Sequence, residues 1–166
     1  LVQITADCET ALNEGKAAFD ALEAQTGEAT VESVFGQYET MADALTGIGD
    51  VWHLRSVHPD ADVREAANAC SEQQSDFLSQ IGLSRPYFDR IAAIDTTQLT
   101  AVERHMVEEA LEGFRRSGVD RDAATRQKIR TLQSDITALG NEFDKNIRED
   151  VRSVQVDAST GYSGRK

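Results

Sequence analysis

Proline is nearly missing from this chain, with two among 166 residues, and no run of apolar residues approaches the 18 or so needed to span a bilayer. With so few helix breakers, and with Ala, Glu, Leu, Gln and Arg recurring throughout, the composition favours helix over sheet, and an all-α fold is expected. Cysteine occurs only at positions 8 and 70. That is neither the dense framework of a small secreted domain nor the close pairing of a structural zinc site, so Cys8 and Cys70 are expected to be reduced, partly buried thiols. The opening Leu1-Val2-Gln3-Ile4-Thr5 lacks the basic region and apolar core of a signal peptide. A cytoplasmic location is therefore expected.

Positive charge is scarce in the first third. Residues 1–62 hold 12 acidic and 2 basic side chains, residues 63–166 hold 17 and 15, and the net charge is -12. Such a surface repels phosphate, which argues against nucleic acid and against anionic membranes as partners. The densest basic stretch, Arg115, Arg116, Arg121, Arg126, Lys128 and Arg130, is diluted by Asp120 and Asp122 and carries few aromatic residues for base stacking.

Apolar residues at three- and four-residue spacing mark about six helices. The first carries Cys8, Leu12, Gly15, Phe19 and Leu22; the second runs from Val31 through Val34, Tyr38, Met41, Leu45 and Ile48 to Trp52 and stops near His58-Pro59. A third, entered through Asp60 or Asp62, holds Val63, Ala67, Cys70, Phe77 and Ile81, and Gly82 suits its left-handed cap. Ser84-Arg85-Pro86 opens a short fourth helix with Tyr87, Phe88, Ile91 and Ile94. Thr100 and Glu103 form a capping box for a fifth, whose expected buried stripe is Met106, Ala110 and Phe114. Gly118 ends it, and Asp120 is placed to cap the sixth. There Ile129, Leu132, Ile136, Leu139, Phe143 and Ile147 give the most regular apolar run of the chain, read as a core stripe, and the pairs Asp122 with Arg126 and Asp144 with Arg148 are read as its solvent face. After Asp150 the pattern turns to β-branched Val151, Val154 and Val156, then to a small, polar end.

Chemistry-bearing residues are thinly spread. Metal-assisted peptide hydrolysis needs two histidines one helical turn apart with a glutamate between, as in His-Glu-x-x-His, and the motif is absent. His105-Met106-Val107-Glu108-Glu109 resembles the inverted form but puts Glu109 where a second ligand should stand. His53 and His58 near Asp60 and Asp62 are better explained by a helix end and a turn before proline. No residue three before a histidine is glutamate, which excludes the di-iron pattern. No catalytic or metal-binding residue is assigned, and the substrate-binding residues stay unknown.

Four segments carry a resemblance: Val57-His58-Pro59-Asp60 with Val63-Arg64-Glu65-Ala66; Tyr87-Phe88-Asp89-Arg90; Leu111 through Gly118; and Ile129 through Ile147. In order and spacing, His53 to Val156 resembles the N-terminal region of the thimet oligopeptidase, neurolysin and oligopeptidase A family of zinc metallopeptidases. The resemblance places family-like helices at 53–150 within a helical lobe over residues 1–157, whose two-helix entry at 1–52 matches only in being helical and which precedes a flexible or non-native tail at 158–166 that departs from the family pattern. It also implies a parent metalloendopeptidase that hydrolyses short peptides, with zinc in a catalytic C-terminal lobe of the same polypeptide and none in this chain, which alone should be inactive. The alternative is a stand-alone helical module that binds another protein.

Overall fold

Amphipathic spacing becomes seven helices in the computed structural model, which describes residues 2–150 and 152–153; no strand occurs among them. They are α1 (Val2–Glu23), α2 (Val31–Thr46), α3 (Val51–Val57), α4 (Ala61–Gly82), α5 (Arg85–Ala92), α6 (Ala101–Ser117) and α7 (Ala123–Glu149). The tail at 158–166 and the valines at 151, 154 and 156 lie outside the described residues.

The count exceeds six because the second expected helix is two. Gly47 and Gly49 each weaken helix by about 1 kcal/mol relative to alanine, and the chain turns through Gly47–Asp50 with Ile48 driven into the core. Thr30 and Ser33 form a reciprocal capping box at the start of α2, and Thr100 and Glu103 do the same for α6. Asp60 caps α4, accepting from the Asp62 backbone N–H at 2.9 Å. Asp122 rather than Asp120 caps α7, accepting from the Thr125 N–H at 2.9 Å, because the left-handed residue Gly118 (φ +91°) is followed by one more tight turn. Gly82 is the last helical residue of α4, not a left-handed cap; the chain passes through Leu83 directly into Ser84, which caps α5 by accepting from the Tyr87 N–H at 3.1 Å.

Helix α4 is the centre. Alongside α1 it runs parallel, as the matched pairs Cys8 with Cys70, Phe19 with Phe77 and Glu23 with Ser84 show. Gly15 permits the closeness: a Cβ there would meet Leu45 of α2 and Phe77 of α4, each at 3.2 Å. Tyr87 sits at the end of this core, edge-on to Phe19 and Phe114 at 5.9 and 5.4 Å and stacked on Tyr38 at 5.9 Å. Its burial, with Tyr38 alongside, pushes the phenol far above its ordinary titration range.

The cysteines correct an expectation. Cys8 and Cys70 are 3% exposed and joined in a disulfide with Cα atoms 5.9 Å apart. Sixty-two positions of separation hid the pairing, because the parallel packing of α1 on α4 brings together two thiols that both belong to core stripes.

Candidate functional site

The largest departure from the sequence pattern is α7. Its apolar run does not enter the core: Leu132, Ile136, Leu139, Phe143 and Ile147 are all exposed, Phe143 by 64%. Antiparallel to α4, the helix is held instead by a polar seam. The Ser75 and Thr137 hydroxyls are 3.1 Å apart, Ser79 donates to the Gln133 amide oxygen, and the Asn141 amide donates to Glu72 at 2.8 Å. Beyond Asn141, toward the C-terminal end of α7, lie the ion pairs Lys145 with Glu65 at 3.6 Å and Arg55 with Asp144 at 3.5 Å; Arg55 also donates to Asn141. Asp144 thus faces α3 rather than pairing along the solvent side. At 100° per residue, the stripe points roughly 110° away from the seam residues Gln133, Thr137 and Asn141.

A second apolar opening lies across α4. Phe35 and Tyr38 of α2, Ile81 of α4, Tyr87 of α5 and Phe114 of α6 surround a depression of about 390 Å³. Between α4 and α7 lies another of about 410 Å³, bordered by Ile136, Thr137 and Gly140. Leu78, 46% exposed, lines both, so the two depressions adjoin at this residue of α4. On α6 the buried residue is Val107, with Ala110, Leu111 and Phe114 packed against the core; Met106, expected inside, is exposed because it lies one position off that face.

The residues singled out for chemistry stay apart. His105, Glu108 and Glu109 are exposed on α6. His58 shapes a turn: its Nδ1 accepts from the Asp60 N–H at 3.1 Å while its carbonyl accepts from Arg64 at 2.7 Å. The basic stretch is engaged locally, Arg116 with Glu112 at 3.4 Å, Arg121 with Asp120 at 3.7 Å, Arg115 over the Phe88 ring at 5.6 Å, and Arg126 donating to the Arg121 carbonyl at 2.6 Å. Among the described residues no group of three or more His, Cys, Asp or Glu side chains could hold a metal ion, so these residues do not fit a zinc centre. Among the described residues no helix is long and apolar enough to cross a membrane.

Against known families, the sequence profile of the N-terminal domain of neurolysin/thimet oligopeptidase matches residues 8–126, from α1 through the start of α7. The chain belongs to this family. The likeness read from His53 onward therefore reaches back to Cys8 and includes the first two helices. Among relatives, the mitochondrial intermediate peptidase of Coprinopsis scobicola is 28% identical over 144 residues, 83% of this chain and 19% of its own length. That of Candida albicans is 29% identical over 115 residues, covering 66% and 15%, and that of Arabidopsis thaliana 26% over 121 residues, covering 71% and 17%. The chain spans less than a fifth of the length of these relatives. What this oligopeptidase N-terminal domain presents is thus a helical scaffold with two adjoining depressions, and the zinc chemistry of its family is not built from the described residues.

Proposed function

We propose that this chain is the N-terminal lobe of a longer zinc-dependent endopeptidase acting on short peptides, that it walls one side of the substrate channel, and that it is inactive by itself. The observation that carries the reading is the match of residues 8–126 to the family's N-terminal domain, together with relatives more than five times as long as the matched segment. In the parent, zinc would polarise the scissile carbonyl and activate a water; every ligand for it would come from outside this chain. The lobe's part is steric: its helices limit what reaches the catalytic centre, so flexible peptides enter and folded proteins do not. The Cys8–Cys70 disulfide favours an oxidising compartment over the reducing cytosol for this lobe.

The test is to read the native gene past the codon for Lys166, look for an in-frame His-Glu-x-x-His, and express the longer product. Hydrolysis of short fluorogenic peptides, abolished by a chelator and restored by zinc, is expected of it and not of the 166-residue chain. If the native frame closes near Lys166, the exposed face of α7 makes a partner-binding helical module the better reading.

A further inference from the structure

Where α1, α4, α5 and the first turns of α7 meet, they border a polar recess of about 360 Å³. Lys16, Arg85, Arg126 and Arg130 line it, against Asp20 and Glu23. In a chain of net charge -12 this is a local excess of positive charge, and Lys16 is one of only two basic residues among the first 62. The carboxylates do not neutralise it. Glu23 accepts from the Ser84 hydroxyl, and Asp20 is exposed and forms no ion pair among the described residues. Arg85 is paired along α5 with Asp89 at 2.8 Å, and Arg126 donates to the Arg121 carbonyl at 2.6 Å. Arg130 has nothing comparable: its Nε is closed off from solvent without an acceptor, and among the described residues no hydrogen bond or ion pair reaches its guanidinium. Arg55 and Arg90 also have an unmatched Nε, but Arg55 is tied to Asn141 and Asp144, and Arg90 donates to the Gly27 carbonyl at 2.8 Å. A cation drawn partly out of water stays costly until an acceptor oxygen meets it.

We propose that this recess binds a small oxyanion, either inorganic phosphate or the carboxylate of a small acid or peptide, through the Arg130 guanidinium with Lys16 and Arg126 around it. The planar fork of an arginine matches two oxygens of either group. The start of α5, capped by Ser84 and carrying Pro86 in its first turn, borders the same recess and adds the positive end of a helix dipole. A phosphate-bearing macromolecule is a poor occupant, because the overall acidity of the chain repels a polyanion while a single small anion meets only the local cations. The site draws on residues of this lobe alone and stands or falls independently of the peptidase reading.

Thermal midpoints of the native polypeptide and of the 166-residue chain test this, titrated with inorganic phosphate and separately with N-acetylglycine, chloride holding the ionic strength constant. A saturable rise of a few degrees is expected with at least one of them. The one that acts at lower concentration identifies the source of the oxyanion. Arg130→Met, which keeps the apolar stem, should weaken binding about tenfold or more. Lys16→Met should weaken it several-fold, and Lys128→Met, on the same helix but outside the recess, should leave it unchanged. Asp20→Asn should tighten it by removing a competing carboxylate. Where Arg130→Met fails to fold, Arg130→Lys supplies the same readout, since it keeps the charge and loses the fork. A midpoint that climbs without saturating, or climbs equally in Arg130→Met, reports screening of the acidic surface and overturns the proposal. Binding by the 166-residue chain that the native polypeptide lacks overturns it too, because a group elsewhere in the polypeptide then fills the recess. A lower midpoint in anion-free Asp20→Asn that disappears in the Arg130→Met background assigns Arg130 to Asp20 and ends the idea.

Discussion

Single residues set the close approaches of this fold, and glycine shows it in two opposite ways. Gly118 has a left-handed backbone, and a Cβ there would lie 2.6 Å from Ile129 Cδ1. Gly118→Ala should therefore lose about 1–2 kcal/mol from the left-handed strain alone, more with the clash, read as a lower urea midpoint. Gly36, in mid-α2 with nothing within 4 Å of a Cβ, should behave in reverse: Gly36→Ala gains up to about 1 kcal/mol in the same measurement. The value of Gly118 was legible in the sequence, since it follows a helix ending in Arg115 and Arg116. The role of Gly15 was not, because the side chains it admits come from positions 45 and 77.

At the scale of elements, the helix starts were readable and the helix faces only partly so. The Thr100–Glu103 box, the Asp60 cap and Ser84 before Pro86 are local patterns, and each appears where the spacing put it. These caps also make stability depend on acid. Glu103 is held below its ordinary 4.5 by the Thr100 hydroxyl and then the Thr100 N–H, and Asp122 below its ordinary 3.8 by the Thr125 hydroxyl and then its N–H. Because both folded-state values are depressed, their contribution is complete above the ordinary values and is lost as pH falls through the lower folded ones. Unfolding midpoints measured from pH 6 down to about 2 should fall most steeply at the acid end, and Glu103→Gln with Asp122→Asn should flatten that limb. An unchanged slope would show that these carboxylates are not held in the fold. The α7 face could not be read this way. Periodicity locates an apolar stripe, but its burial depends on what lies against it, and here the neighbouring α4 offers Glu72, Ser75 and Ser79.

For the whole molecule, the covalent link between α1 and α4 is the main addition to noncovalent packing. Closing 62 residues, the disulfide restricts the unfolded chain enough to contribute about 4 kcal/mol in the chain-entropy account. Alkylation of denatured, unreduced protein should find no free thiol, and replacing both residues, Cys8→Ser with Cys70→Ser, should lower unfolding free energy by about that amount. Free thiols at both positions in protein taken from its native compartment would instead restore the reduced pair that the composition suggested.

By itself the sequence determined that the chain is helical, where most helices begin and end, that it carries no His-Glu-x-x-His motif, and which family it resembles. These follow from local propensity, capping chemistry and motif spacing, all of which act within a few residues. Only the tertiary structure decided that two cysteines far apart meet, that Gly47 and Gly49 break one long helix into two, and that the most regular apolar stripe faces outward. Those outcomes depend on which surfaces pack together, and packing partners are chosen by the whole chain rather than by any window of it.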